Sequence, residues 1–127
     1  MLSHVVVGAS NLELSRAFYD ATFAALDLAA GILDGDRRYL YISPTGLFVV
    51  GKPVDGAPAA CGNGLTIGFH AKSPEQVDAW HAAGIRNAGT TCEDPPGPRK
   101  TDFGELYAAY LRDPDGNKLC AIFGMSG

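Results

Sequence analysis

The sequence is short of cysteine, of basic runs and of long apolar stretches. Its three cysteines, Cys61, Cys92 and Cys120, are an odd number, and no Cys-x-x-Cys occurs. Neither a disulfide framework nor a zinc knuckle is therefore expected, and a reducing, cytoplasmic setting is the default. Lysine and arginine total 10 against 14 aspartates and glutamates, a formal charge of −4. Positive charge gathers only in the pairs Arg37-Arg38 and Arg99-Lys100. That excludes a nucleic-acid footprint of the usual kind and leaves little to attract an anionic membrane surface. No apolar stretch approaches the ~20 residues that span a bilayer. Met1-Leu2-Ser3-His4 runs straight into a strand-like segment, without the charged and apolar regions of a signal peptide.

What is present is ordinary globular material. Apolar residues make up 46% of the 127 and charged ones 19%, a composition and length that suit one domain with its own core. His4-Val5-Val6-Val7-Gly8 reads as a buried strand. Ser10 and Glu13 are spaced as a capping box, and Leu14, Ala17, Phe18, Ala21 and Ala25 recur at helical spacing. A helix is predicted over about residues 11–26. Strands are predicted at 28–33, 38–43 and 47–50, separated by Asp34-Gly35-Asp36 and Pro44-Thr45-Gly46. Glycine and proline then crowd residues 51–63 and periodicity vanishes, the mark of a linker.

After the linker the pattern restarts. Residues 65–71 read as a strand. Ser73-Pro74-Glu75-Gln76 is a second capping box with proline at the first helical position. Val77, Trp80, His81 and Ala88 follow on a helix predicted to end before Gly89, with Gly84 inside it costing about 1 kcal/mol against alanine. Strands at 105–112 and 118–123 are joined by Asp113-Pro114-Asp115-Gly116, with a weaker strand near 89–92. Residues 93–104 read as a mobile loop. His4 precedes Phe18 by 14 residues and Thr66 precedes Trp80 by 14. One unit therefore occurs twice, and neither copy can bury its sheet and helix alone. The expected fold is α+β: two tandem βαβββ modules, about 1–53 and 63–124 with a linker at 54–62, forming a cupped mixed sheet with helices on its outer face. A concave apolar surface of that kind suits a small ligand.

These residues resemble those of the vicinal-oxygen-chelate superfamily, which includes glyoxalase I, bleomycin-resistance proteins and extradiol dioxygenases. The carriers are Ser3-His4-Val5-Val6-Val7, Ser15-Arg16-Ala17-Phe18-Tyr19-Asp20, Gly62-Asn63-Gly64-Leu65-Thr66-Ile67-Gly68-Phe69 and, most specifically, Asp113-Pro114-Asp115-Gly116-Asn117-Lys118. The resemblance implies paired βαβββ modules, frequent homodimers and, in the enzymes, a divalent metal (Ni, Zn, Fe or Mn) held on the first and last strands of each module. Carried onto this chain, the four ligand positions fall on His4, Val50, Thr66 and Cys120, of which only His4 keeps a family ligand. The reading is a protein that binds a small organic molecule in the cup without the usual metal. The alternative is a lyase- or dioxygenase-like enzyme whose site is rebuilt on His4, Thr66 and Cys120.

Each candidate residue carries a plainer reading. His4 is a metal ligand or base, or a hydrogen-bonded cavity histidine. Cys120 is a nucleophile or soft ligand, or a small buried hydrophobe. Arg99 and Lys100 close over the cup to hold an anion, or lie on a solvated loop. Phe48, Val50, Thr66 and Tyr107 are expected to line the pocket. Trp80, Tyr110 and His81 are expected to serve packing, and His70 to lie at the rim. The expected partners are a small molecule and a second copy of the chain.

Overall fold

Alternating β-branched and aromatic residues set the two faces of each strand, and the structure sorts those faces by a single helix layer. The computed structural model describes residues 1–124. In chain order the elements are β1 (His4–Gly8), α1 (Leu12–Ala25), β2 (Ile32–Asp34), β3 (Arg38–Ser43), β4 (Gly46–Gly51), β5 (Ile67–His70), α2 (Pro74–Arg86), β6 (Thr90–Thr91), β7 (Gly97–Thr101), β8 (Gly104–Arg112) and β9 (Lys118–Phe123). They form one four-stranded sheet in the order β1-β4-β3-β2 and one five-stranded sheet in the order β5-β9-β8-β6, with β7 also paired to β8. In each module the first strand lies parallel to the last, β1 on β4 and β5 on β9, and the other pairs are antiparallel.

The helix ends follow the sequence with one shift. α1 is capped by Asn11, whose side chain accepts from the Leu14 amide at 3.1 Å, and not by Ser10. Asparagine caps as well as serine, and Ser10 is thereby free to tie other segments: its hydroxyl accepts from the Ala59 amide at 3.0 Å, and its own amide donates to Asp115 at 3.1 Å. α2 starts as expected, with Ser73 accepting from the Gln76 amide and Pro74 behind it. The strand expected over 28–33 is confined to Ile32–Asp34. The segment expected as a mobile loop over 93–104 instead contains β7, paired in register with β8 from Gly97↔Ala108 to Thr101↔Gly104. Pro98 is compatible with that strand because β7 is an edge, where a missing donor breaks no ladder.

Both sheets turn one face to the helices. Val7, Tyr39, Tyr41, Phe48 and Val50 of the first sheet and Ala109, Leu111, Leu119 and Ala121 of the second belong to one core with Phe18, Tyr19, Phe23, Val77 and Trp80. α1 packs on α2. Phe69 of β5 reaches across to Phe23 and Phe48, with ring centroids 5.0 and 5.5 Å apart. Gly84 makes the helix–sheet approach possible: a Cβ there would lie 2.3 Å from Leu111 Cδ1. Since both helix-side faces meet in this shared core, the opposite face of each sheet lies on the outside of the chain. We call these the free faces.

Candidate functional site

Strand register defines the first free face row by row. His4 stands beside Leu47 and Ile42, Val6 beside Val49 and Leu40, and Gly8 beside Gly51 and Arg38. β2 extends the last two rows with Ile32 and Asp34. The surface is an apolar strip with a histidine at one end and an arginine at the other. Much of it is open, Val6 being 57% and Ile42 59% exposed, although the reverse side of the same strands is packed away. A cavity of about 460 Å³ wraps round the His4 end, where His4, Val6, Ile42 and Leu47 meet Phe23, Phe48, Leu65, Thr66 and Phe69. A second concavity, of about 480 Å³, lies at the Gly8–Gly51 end and shares Val6 with the first.

The second free face carries Gly68, Cys120 and Tyr110 in one row and His70, Ile122 and Ala108 in the next. Gly68 makes room for the Cys120 thiol, since a Cβ at 68 would stand 3.2 Å from Sγ. Lys118 lies 5.2 Å from the centroid of the Tyr110 ring and pairs with Glu93.

The predicted site residues therefore separate. His4, Phe48 and Thr66 line the same cavity. His4 is exposed and shares a 2.7 Å hydrogen bond between Nδ1 and the Ser3 hydroxyl. Cys120 is buried on the other module's free face and does not line that cavity. Burial pushes its thiol up to about 11, so it is protonated near neutrality and a poor nucleophile or ligand. Val50 lines neither of the two concavities of the first face: it pairs with Val7 and Tyr39 on the helix side and is fully buried. The residue at that level on the His4 face is Val49. Tyr107 also points to the helix side, where its hydroxyl donates to Asp78 of α2 at 2.8 Å. Arg99 closes over nothing. Its guanidinium donates to the carbonyls of Asp94, Pro95 and Gly97 at 3.0 Å each and so pins the turn before β7. Trp80 and His81 are structural as expected: Trp80 is fully buried, and His81 Nε2 lies 2.9 Å from the Thr91 hydroxyl.

Sequence reasoning missed the Asp113 anchor by treating Asp113-Pro114-Asp115-Gly116 as turn chemistry alone. Asp113 does hold that turn, accepting from the amides of Asp115 and Asn117. Its other oxygen accepts the Tyr19 hydroxyl at 2.5 Å, tying α1 of the first module to the second. A fixed Asp near a helix tyrosine in the motif was the available signal.

A family model for the Glyoxalase/Bleomycin resistance protein/Dioxygenase superfamily matches residues 1–121. The chain belongs to this superfamily. Among solved structures, a glyoxalase/bleomycin resistance protein from Albidiferax ferrireducens T118 is 56% identical, with a TM-score of 0.94 over 97% of this chain and 98% of that one. A glyoxalase-related enzyme from Fulvimarina pelagi is 15% identical, with a TM-score of 0.76 over 98% and 88%. Lactoylglutathione lyase from Agrobacterium tumefaciens is 19% identical, with a TM-score of 0.67 over 98% and 93%. The last two share the fold. No curated protein matches the chain.

The superfamily's metal chemistry needs at least three protein donors on converging strands. Among the described residues, no three His, Cys, Asp or Glu side chains converge so as to hold an ion. On the free faces the positions around His4 are Leu47, Val49 and Val6, and around Cys120 they are Gly68 and Tyr110. Neither set fits a divalent cation.

Proposed function

We propose that this superfamily member binds a small organic molecule along the free face that carries His4, without a chelated metal. The observation that supports it is the apolar strip formed by Val6, Leu40, Ile42 and Leu47 around the buried Val49, with a concavity at each end. Such a strip left open to water is costly, at about 25 cal/mol per Å² of apolar surface, and contiguous exposed patches mark binding sites. The metal-free part rests on the donor sets just described.

A second copy of the chain closes the site in this reading. β1 and β5 are both sheet edges, with unpaired backbone groups that invite a further strand. Leu2, Val6, Ile42 and Leu65 stand exposed around the same cavity. Within one chain the His4 face meets the second free face only at its β5 edge, through Thr66 and Gly68. Two copies bring the His4 face of one against the Cys120 face of the other.

The test is a thermal-shift screen of small organic compounds, read against Leu40→Lys, which charges the strip without touching the core. We expect ligands that raise the melting temperature of the wild type and not of the variant, in a protein that sediments as a dimer. Calorimetric titration with Ni²⁺, Zn²⁺, Fe²⁺ and Mn²⁺ should give no stoichiometric heat that depends on His4. Metal-restored turnover of the kind the Agrobacterium protein's name carries, lost in His4→Ala, would overturn the metal-free reading. A monomer with no ligand in the screen would overturn the rest.

A further inference from the structure

The end of the strip farthest from His4 is built differently from the remainder. Gly8 and Gly51 stand side by side in the row completed by Arg38. Both glycines are required by close approach, and neighbouring side chains lie over them, so that Gly51 is buried. A Cβ on Gly51 would stand 2.9 Å from Arg38 Cβ, and one on Gly8 would stand 3.1 Å from Ala59 Cβ. The segment from Pro53 to Ala60 walls the concavity at this end, and Val6 and Val49 line its apolar side.

Three cations border this concavity: Arg37, Arg38 and Lys52. They are held in place by the strand ends. The Lys52 amide donates to the Arg37 carbonyl at 2.9 Å, and Arg37 Nη1 donates to the Lys52 carbonyl at 3.0 Å. Arg38 uses Nε toward Asp34 at 2.7 Å, which orients the guanidinium and leaves its terminal nitrogens as donors. Two carboxylates face the group: Asp34, through Arg38, and Asp55 on the wall. Three cations against two carboxylates leave one net positive charge.

The geometry points to recognition of an amphipathic organic monoanion, with its apolar body on the strip and a terminal carboxylate in the concavity bordered by Arg38 and Lys52. A guanidinium takes a carboxylate through two parallel hydrogen bonds, and the Arg38 guanidinium stands at the end of the strip with its terminal nitrogens as donors. One net charge matches a carboxylate better than a phosphate dianion, whose second charge would meet Asp34 and Asp55. The strip spans four residues from the His4 row to the Arg38 row, about 13 Å at 3.3 Å per residue. That is the length of a chain of roughly ten carbons. The inference rests on the proposed binding face and names the class of molecule it takes. Arg38 and Lys52 thereby replace Arg99, whose donors are spent on its own turn.

The experiment titrates the full chain calorimetrically, below their aggregation concentrations, with decanoate, 1-decanol and decyl phosphate. Decanoate is expected to bind at least tenfold more tightly than decanol, with decyl phosphate between them. Arg38→Gln should abolish the preference of decanoate over decanol. Lys52→Gln, at an exposed position, should weaken decanoate several-fold and serves if Arg38→Gln fails to fold. Equal affinities for decanoate and decanol would overturn carboxylate recognition and leave the binding face standing. Tighter binding of decyl phosphate would overturn the monoanion assignment. Failure of all three to bind would overturn the binding face and this inference with it.

Discussion

Replacing Tyr19 with phenylalanine removes one oxygen from the centre of the molecule. Tyr19 is fully buried, with ring centroids 4.9 Å from Phe18 and 5.0 Å from Phe48, and phenylalanine keeps those contacts. What is lost is the 2.5 Å hydrogen bond to Asp113, itself 3% exposed. Asp113 retains the amides of Asp115 and Asn117 and the Asn117 side chain at 2.9 Å, so the carboxylate is not stranded. A hydrogen bond to a charged group contributes about 2 kcal/mol. In a domain of this size that corresponds to a melting temperature lower by roughly 6–10 °C.

The same substitution has a signature in alkali. Burial first, and then the Asp113 charge, push the Tyr19 hydroxyl well above the ordinary tyrosine value. The folded chain therefore holds a proton that the unfolded chain releases near pH 10. Its contribution is complete below pH 10 and is lost as the pH rises toward the folded value. Above pH 10 each such group steepens the loss by about 1.4 kcal/mol per pH unit. Tyr41 is also pushed up, by burial and by its hydrogen bond to Asp20, so the wild type has at least two groups of this kind and Tyr19→Phe has one fewer. Urea unfolding from pH 7 to 11 measures both effects. Equal stability at pH 7 together with parallel slopes above pH 10 would refute the reasoning.

Two further outcomes follow from close contacts. Gly84→Ala should gain up to about 1 kcal/mol of helix propensity and still destabilise the protein by about 1–3 kcal/mol, because its Cβ would drive into the buried Leu111 side chain. A higher denaturation midpoint would contradict that packing. Iodoacetamide at pH 8 should label the exposed Cys61 promptly and leave Cys120 untouched in the native protein, since a thiol near 11 is only about one part in a thousand ionised there. Prompt carbamidomethylation of Cys120, read by peptide mass spectrometry, would show that its row is open.

The sequence by itself determined what is local and periodic. The repeat of strand, capped helix and strands was legible because each element announces itself within a few residues: Val5–Val7, the spacing of Phe18 after His4, and Ser73-Pro74 before α2. The Asp113–Lys118 motif late in the chain, with Phe18-Tyr19 early, suggested the superfamily. Placement at the scale of one residue was less legible. Ser10 and Asn11 are equivalent caps by chemistry, and the choice fell to contacts with Ala59 and Asp115, far along the chain.

Tertiary structure decided everything that depends on which side of a strand faces inward. A one-residue difference reverses a side chain's face. Val50 therefore lies in the core and Val49 on the free face, a distinction only the β1–β4 register supplies. Tyr107 and Arg99 make contacts away from the His4 cavity for a similar reason: their partners, Asp78 and the carbonyls of 94–97, come from folding and leave no trace in spacing. Arg38 could stand beside Gly51 at the end of the strip only once β3 and β4 were paired. Local propensity is written in neighbouring residues, whereas a binding surface arises from strands whose order and register are fixed only when the core closes.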